Sequence, residues 1–112
     1  MGRRSGLGEL EQLVLLSVLR LGSDAFAPSI AKDLEDSVAK RVSRGALYST
    51  LNRLEGKGLL SWTAEDPGEG PTAHIRRLFS LTREGVDALR AQRETLLTLW
   101  DGIEHVLEGK SS

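Results

Sequence analysis

Residues 43 to 60 predict a short helix with one polar, cationic face. At about 100° per residue, three leucines share one stripe and the polar side chains fall opposite them. The leucines are Leu47, Leu51 and Leu54. Hydroxyl, amide and guanidinium groups are the groups that contact phosphates and base edges in duplex DNA. The candidate DNA-binding residues of this helix are Ser43, Arg44, Tyr48, Ser49, Asn52 and Arg53.

Two of these side chains have the chemistry to bind base edges in the major groove, Asn52 on adenine and Arg53 on guanine. Each polar residue also has the plainer interpretation of a solvated helix face. For Tyr48, at the border of the face, the plainer interpretation is a half-buried core residue with its hydroxyl at the surface.

The ends of this helix and its local charge agree with such a role. Ser43 predicts the N-cap, while Gly56 and Gly58 predict the end of the helix. The net charge of the chain is −1, but basic residues outnumber acids five to one between positions 40 and 57. A binding face needs local positive potential, not a basic total.

The composition excludes several other classes of protein. A chain of 112 residues without a long linker predicts one domain. It has no cysteine, and His74 and His105 lie far apart, so we expect no metal and no cofactor. No nucleophile has an adjacent base and no glycine-rich loop opens a helix, so we expect no enzymatic activity. No long apolar run or signal segment is present, which predicts a soluble, cytoplasmic protein with no membrane partner.

Two helices are predicted before the polar one. Residues 8 to 21 are apolar around nearly the full circumference, which predicts a helix buried on two sides. Pro28 begins a second helix that runs to about Val38, with Ile30, Ala31, Leu34 and Val38 inward.

A β-hairpin is predicted after Gly58. Leu60, Trp62 and Ala64 alternate with polar residues, and a second strand spans about residues 75 to 81. Residues 66 to 71 are rich in glycine and proline and form the predicted tip, with Thr72 and His74 beside it. Alternation sends Arg76 and Arg77 to opposite sides, so we expect one of the two to contact DNA.

The last predicted element is a long helix over residues 83–109, capped by Thr82. Its apolar residues are spaced alternately three and four apart, with Arg93 intruding, as in a coiled-coil seam. A helix that projects past a small core requires a partner, which predicts a homodimer. The predicted dimer interface comprises Leu10, Leu13, Val86, Leu89, Leu96, Trp100, Ile103 and Leu107.

This order of elements predicts an α+β, mainly α fold: a winged helix-turn-helix with a two-stranded β wing and a long C-terminal dimerisation helix. The predicted divisions are an N-terminal tail (1–7), the DNA-binding domain (8–82), the dimerisation helix (83–109) and a C-terminal tail (110–112).

Several short segments match the pattern of a known family: 15–19 (LLSVL), 45–48 (GALY), Leu51, 53–55 (RLE), 58–60 (GLL), Trp62 and 76–85 (RRLFSLTREG). On these segments the chain resembles the PadR family of transcriptional regulators, most closely its short members with one C-terminal helix. Two segments depart from the family pattern: 78–79 (LF), where members often carry two tyrosines, and 25–28 (AFAP), where a Tyr-Gly-Tyr-like element is common.

The resemblance implies a dimeric repressor that binds a palindromic operator in double-stranded DNA, with Tyr48 at the DNA face. It also implies that a small, flat hydrophobic effector relieves repression by binding between subunits. The expected effector-binding residues are Leu96, Trp100 and Ile103, with Trp100 providing a stacking surface. The alternative interpretation of Trp100 is packing in the dimer seam.

Two other functions compete with this prediction. One is a winged-helix module that binds an acidic protein through the same basic face and does not bind DNA. The other is a drug- or metal-responsive winged regulator of another family, although the absence of cysteine disfavours a metal response. Steep salt dependence together with a sequence preference would distinguish DNA binding from protein docking.

Overall fold

The structure is a computed structural model that describes residues 6–65 and 76–109. The order of elements in this part of the chain confirms the predicted mainly helical fold with a two-stranded antiparallel sheet. The elements are α1 (Glu9–Leu21), a 3-10 turn (Gly22–Asp24), α2 (Ala27–Val38), α3 (Arg44–Gly56), β1 (Leu60–Glu65), β2 (Arg76–Leu81), α4 (Arg83–Trp100) and α5 (Glu104–Leu107).

The core lies between α1, α2 and α3, and β1 and β2 close one side of it. Helix α1 buries Leu15, whereas Leu16 and Leu19 on its other side remain exposed. The inward placement predicted for Val38 is wrong, since its exposed fraction is 56%. Helix α2 ends at Val38 and Ala39 takes a left-handed φ of 56°, so the chain turns away there.

Helix α3 has the ends that the sequence predicted. Ser43 accepts a hydrogen bond on Oγ from the backbone N–H of Ala46, at 3.1 Å. The helix ends at Gly56, and Gly58 takes a φ of 77°, which favours glycine because it has no Cβ. The predicted leucine stripe is confirmed as the buried side of the helix: Leu47, Leu51 and Leu54.

The two strands pair with Leu60 opposite Leu81 and Trp62 opposite Phe79. Phe79 is buried, and its backbone N–H donates to the carbonyl of Ala25 at 2.9 Å. This bond ties β2 to the corner between α1 and α2. The predicted hairpin tip, together with Thr72, His74 and position 75, lies outside the described residues.

The start of α4 is fixed against the turn that precedes β1. Thr82 Oγ1 accepts from the N–H of Gly85 at 3.0 Å and donates to the carbonyl of Gly58 at 2.6 Å. A Cβ at Gly85 would overlap the carbonyl oxygen of Leu59, so glycine is required by close approach. These contacts set the direction in which α4 leaves the domain.

The prediction of one continuous helix over 83–109 is wrong beyond Trp100. Helix α4 ends there, and Gly102 takes a φ of 86° before the short helix α5. A glycine in this left-handed conformation interrupts the helix. The seam spacing therefore stops at Trp100, and Ile103 and Leu107 do not continue it.

None of the described helices is by itself long and apolar enough to cross a membrane. The stretches Glu9–Asp24 and Ala27–Val38 meet that test only as a pair and are bent by 119° relative to each other.

Candidate nucleic-acid interface

The surface of α3 carries the polar face predicted for it. Ser43, Arg44, Ser49 and Asn52 are exposed on the side away from the buried leucines. Tyr48 is half-buried and packs against the core, and the guanidinium carbon of Arg44 lies 5.8 Å from the centroid of its ring. The start of this helix therefore presents a cation beside an aromatic ring at the protein surface.

Arg53 is partly exposed, as its position predicts, but its guanidinium is turned toward α1. Its Nε donates to Glu11 Oε2 at 2.9 Å, and its Nη2 donates to Thr50 Oγ1 at 3.3 Å. Lys57 Nζ donates to the same Glu11 oxygen at 2.8 Å. Both cations near the end of α3 are therefore held by one carboxylate from another helix.

Glu11 is a residue that the sequence prediction missed. Its side chain is 6% exposed, and its Oε1 accepts from the N–H of Gly8 at 2.9 Å. Burial acts to raise the pKa of this carboxyl, but hydrogen bonds from Lys57, Gly8 and Arg53 outweigh it and lower the pKa from 4.5 to about 2. The sequence feature that could have indicated Glu11 is its position, an acid three residues after Gly8 in a nearly all-apolar helix.

The wing contributes two arginines, each stacked on an aromatic ring. The guanidinium carbon of Arg76 lies 4.2 Å from the centroid of Phe26, and that of Arg77 lies 4.6 Å from the centroid of Trp62. Trp62 Nε1 in turn donates to Glu55 at 3.0 Å, which links the wing to α3. Successive positions in β2 place the two arginines on opposite faces of the sheet, as predicted.

The apolar side chains predicted for a dimer interface differ in their exposure. Leu10, Leu13 and Val86 are half-buried, and Leu96 is exposed. Leu89 belongs to the core of its own chain with 9% exposure, so it offers almost no surface to a partner. The large exposed leucines that the sequence did not single out are Leu16, Leu19, Leu97 and Leu99.

A groove of about 940 Å³ runs beside α4, with a lining that includes Leu7, Leu59, Gln92 and Leu96. Among the described residues that line it, neither Trp100 nor Ile103 appears. This groove of the single chain therefore includes one of the three predicted effector-binding residues, Leu96, and a cavity between subunits that also includes Trp100 and Ile103 stays a prediction. The break at Gly102 removes Ile103 from the position one turn beyond Trp100.

Acidic and histidine side chains do not gather into a metal site in the part of the chain that the structure describes. His74 lies outside that part. Arg53 and Lys57 occupy the one buried carboxylate found there.

A cationic helix face, the helix before it and a two-stranded wing define the winged helix-turn-helix class of transcriptional regulator. The chain belongs to the transcriptional regulator PadR-like family, whose family model matches residues 15–91. The protein is therefore a DNA-binding regulator of transcription.

Solved structures of the same family have a similar fold. A PadR-like transcription factor from Bacteroides fragilis is 26% identical over 87% of this chain and 88% of its own, with a TM-score of 0.67. A PadR family regulator from Eggerthella lenta is 28% identical over 91% and 88%, with a TM-score of 0.64. One from Clostridium difficile, 22% identical over 91% and 97% with a TM-score of 0.68, shows the fold alone. No curated protein sequence matches the chain.

Proposed function

We propose that the protein is a homodimeric repressor that reads a palindromic operator with the exposed face of α3. The observation that carries this proposal is the polar surface of Arg44, Ser49 and Asn52 opposite a fully buried leucine stripe. This surface adds nothing to the core, and its groups match the donors and acceptors of a duplex groove. Occlusion of a promoter is the mode of repression that family membership suggests.

Within this surface we assign different roles to different side chains. The side-chain amide of Asn52 has both a donor and an acceptor, and this pair of groups matches the major-groove edge of adenine. Ser43, Tyr48 and Ser49 each have one hydroxyl donor and Arg44 has a cationic guanidinium, and these groups suit phosphates, which position the helix without reading sequence. The wing arginines are presented on opposite sheet faces, so only one of Arg76 and Arg77 lies against the same DNA backbone.

For Arg53 we revise the expectation of a base contact. Its Nε is bonded to a carboxylate that is 6% exposed, and a contact to guanine would require that pair to break or be shared. We therefore place Arg53 outside the set of base-reading residues.

The dimer proposal is supported by the exposed apolar side chains in the second half of α4, including Leu96, Leu97 and Leu99. Leu16 and Leu19 of α1 add a second exposed apolar row. A twofold-symmetric dimer that buries these surfaces would place two α3 helices in successive major grooves, about 10 base pairs apart.

The experiment that tests the main proposal is selection of duplex DNA from a random pool by the purified protein. We expect enrichment of a palindrome with half-sites about one helical turn, or about 10 base pairs, apart. Binding that falls steeply with salt and still prefers this sequence would support DNA recognition. Equal recovery of all sequences, or binding to an acidic protein only, would contradict it.

Two substitutions at positions of similar exposure test the proposed dimer. Leu97, on α4, and Val38, at the end of α2, are exposed to a similar extent, 51% and 56%. Leu97→Glu places a charge in the proposed interface, whereas Val38→Glu places one outside it. Sedimentation should show a monomer for the first variant and a dimer for the second. A wild-type chain that sediments as a folded monomer at micromolar concentration would contradict the proposal.

We also propose that a small aromatic effector relieves repression by binding in the groove beside Leu96. The groove lining includes the apolar side chains of Leu7, Leu59 and Leu96, which suit such a ligand, beside polar ones such as Lys57 and Gln92, and α4 forms one wall of it. An effector acts only if it binds one spacing of the dimer more tightly than the other.

Titration of planar aromatic compounds against tryptophan fluorescence tests the effector, with Trp100→Phe as the comparison because Trp62 also emits. Release of the operator by a compound that binds would support regulation. Since the groove lining includes no Trp100, we expect binding to survive the Trp100→Phe change. Failure of every compound to release DNA would remove the effector from the proposal.

A further inference from the structure

Glu11 joins two regions that are distant in sequence. It lies in the first turn of α1, and its carboxylate receives Arg53 and Lys57 from positions 42 and 46 residues further along the chain. Together with the N–H of Gly8, these donors give the buried carboxylate three hydrogen bonds. The arrangement satisfies a group that would otherwise be costly to bury.

Four other ion pairs occur in the described ranges 6–65 and 76–109. Arg20–Asp33 joins α1 to α2, but its arginine is exposed and its carboxylate side chain is 12% exposed. In the remaining three, Lys32–Asp36, Arg41–Glu35 and Arg90–Asp87, both side chains are exposed. Exposed ion pairs contribute little to the free energy of folding. Among the described residues, Glu11 is the only charged residue that is buried.

The two cations held by Glu11 continue the proposed DNA-binding face. Ser49, Arg53 and Lys57 are spaced four residues apart, which places them in one row along the helix. Their side chains are 49% and 40% exposed for Arg53 and Lys57, so both reach solvent while bonded. Without a partner, two long cationic side chains would extend from the end of this row.

Free cations at that position would strengthen binding to any duplex, since phosphates attract them irrespective of sequence. A regulator benefits from a high ratio of operator affinity to bulk DNA affinity, and sequence-independent attraction lowers that ratio. A carboxylate inside the protein removes this attraction and keeps the helix charged at its start.

We propose that Glu11 is a specificity-determining residue: it holds Arg53 and Lys57 away from the DNA backbone and so limits sequence-independent binding. The proposal rests on the proposed function, because it assumes that α3 lies against DNA.

The test is the Glu11→Gln variant, which keeps the size of the side chain and removes its charge. Binding to the selected operator and to random duplex is measured over a range of salt concentrations. For random duplex, the slope of log affinity against log salt should steepen by about 0.9 for each phosphate that a released cation reaches, up to about two phosphates. The ratio of operator affinity to random affinity should fall. Loss of stability alone would weaken binding without steepening this slope.

Asp33→Asn is the matched control. Asp33 also accepts hydrogen bonds from a cation and a hydroxyl, Arg20 Nε at 3.2 Å and Ser17 Oγ at 2.7 Å, but these partners lie on α1 and not on α3. Its replacement should leave the salt slope unchanged. An equal steepening in both variants would point to net charge alone and would overturn the proposal.

Two further variants keep the test decisive if Glu11→Gln does not fold. Arg53→Gln and Lys57→Gln each leave Glu11 with one cation, and neither should change the wild-type salt slope if both cations are withheld from DNA. A slope that falls by about 0.9 in either variant would overturn the proposal. Unchanged slope and unchanged specificity in folded Glu11→Gln would also overturn it while leaving operator binding intact. A wild-type protein that binds no duplex would remove the proposed function and this inference together.

Discussion

The two ends of α3 carry the same kind of charge and present it in opposite ways. At the start, Arg44 lies beside the ring of Tyr48 on an open surface. Near the end, Arg53 and Lys57 are bonded to the carboxylate of Glu11. In the sequence all three cations belong to the same basic stretch, between positions 40 and 57.

This difference shows that a basic helix face is divided by its neighbours. The residue that divides it is Glu11, which lies in the first turn of α1, more than 30 residues before α3 begins. The start of α3 is therefore free for recognition, and its end is used for the fold. Four predictions test this division.

The largest expected effect is the loss of folding stability in acid, when the carboxylate that holds the end of α3 is protonated. Because the folded-state pKa of Glu11 is lowered to about 2 from 4.5, its contribution to stability is present above about pH 4.5 and is lost as the pH falls toward 2. A shift of this size corresponds to about 3 kcal/mol. Urea unfolding at several pH values between 6 and 2 measures the loss.

The control for this prediction is Glu11→Gln, which has no proton to gain at position 11. Asp33 also has a lowered pKa, chiefly through its hydrogen bond from Arg20, so the wild type and the variant share that part of the acid response. The difference between their pH profiles isolates Glu11. Parallel profiles would show that the bonds at the end of α3 do not stabilise the folded state.

Asn52→Ala should reduce operator binding by about 1–3 kcal/mol and relax the preference at one base pair. The reason is that its exposed amide is the best-suited base-reading group on the open face. Binding assays against operators changed at each position measure both effects. Glu94→Ala on α4 is an exposed control outside the face. Retained preference at every position would exclude Asn52 from base recognition.

Ser43→Ala should lower the free energy of unfolding by about 1 kcal/mol, because the first turn of α3 loses the acceptor for the Ala46 N–H. Ser43→Thr keeps a capping hydroxyl and should lose much less. Thermal or urea unfolding compares the two variants. An equal loss in both would mean that the cap does not determine where the open end begins.

Arg44→Ala should have the smallest effect, a decrease of about 0.9 in the salt slope of operator binding if one phosphate contact is lost. Sequence preference should stay the same because a phosphate carries no sequence information. Arg44→Lys, which keeps the charge, should restore the slope. An unchanged slope in Arg44→Ala would place the start of α3 away from DNA.

Local patterns predicted the helices and strands well where short-range rules decide structure. The capping of α3 by Ser43, the cap at Thr82 and the buried leucine stripe of α3 each depend on residues within one or two turns. The end of α4 was missed because apolar spacing suggested a continuous seam across Gly102, and a glycine inside a helix pattern is ambiguous.

Contacts between distant elements were beyond the same patterns. Leu89 fits the seam by spacing, yet it is buried in the core of its own chain, since the direction of α4 is set by the fit of Gly85 against Leu59. Arg76 stacks on Phe26 and Arg77 stacks on Trp62 only because β2 packs against the rest of the domain.

The order of its amino acids determined which helices and strands this protein forms, where α3 begins and which side of α3 is polar, because these follow from periodicity and from capping within a few residues. The tertiary structure alone decided which cations on that side are available. The pairing of Glu11 with Arg53 and Lys57 depends on how α1 packs across α3, and packing between elements is not encoded in the periodicity of either.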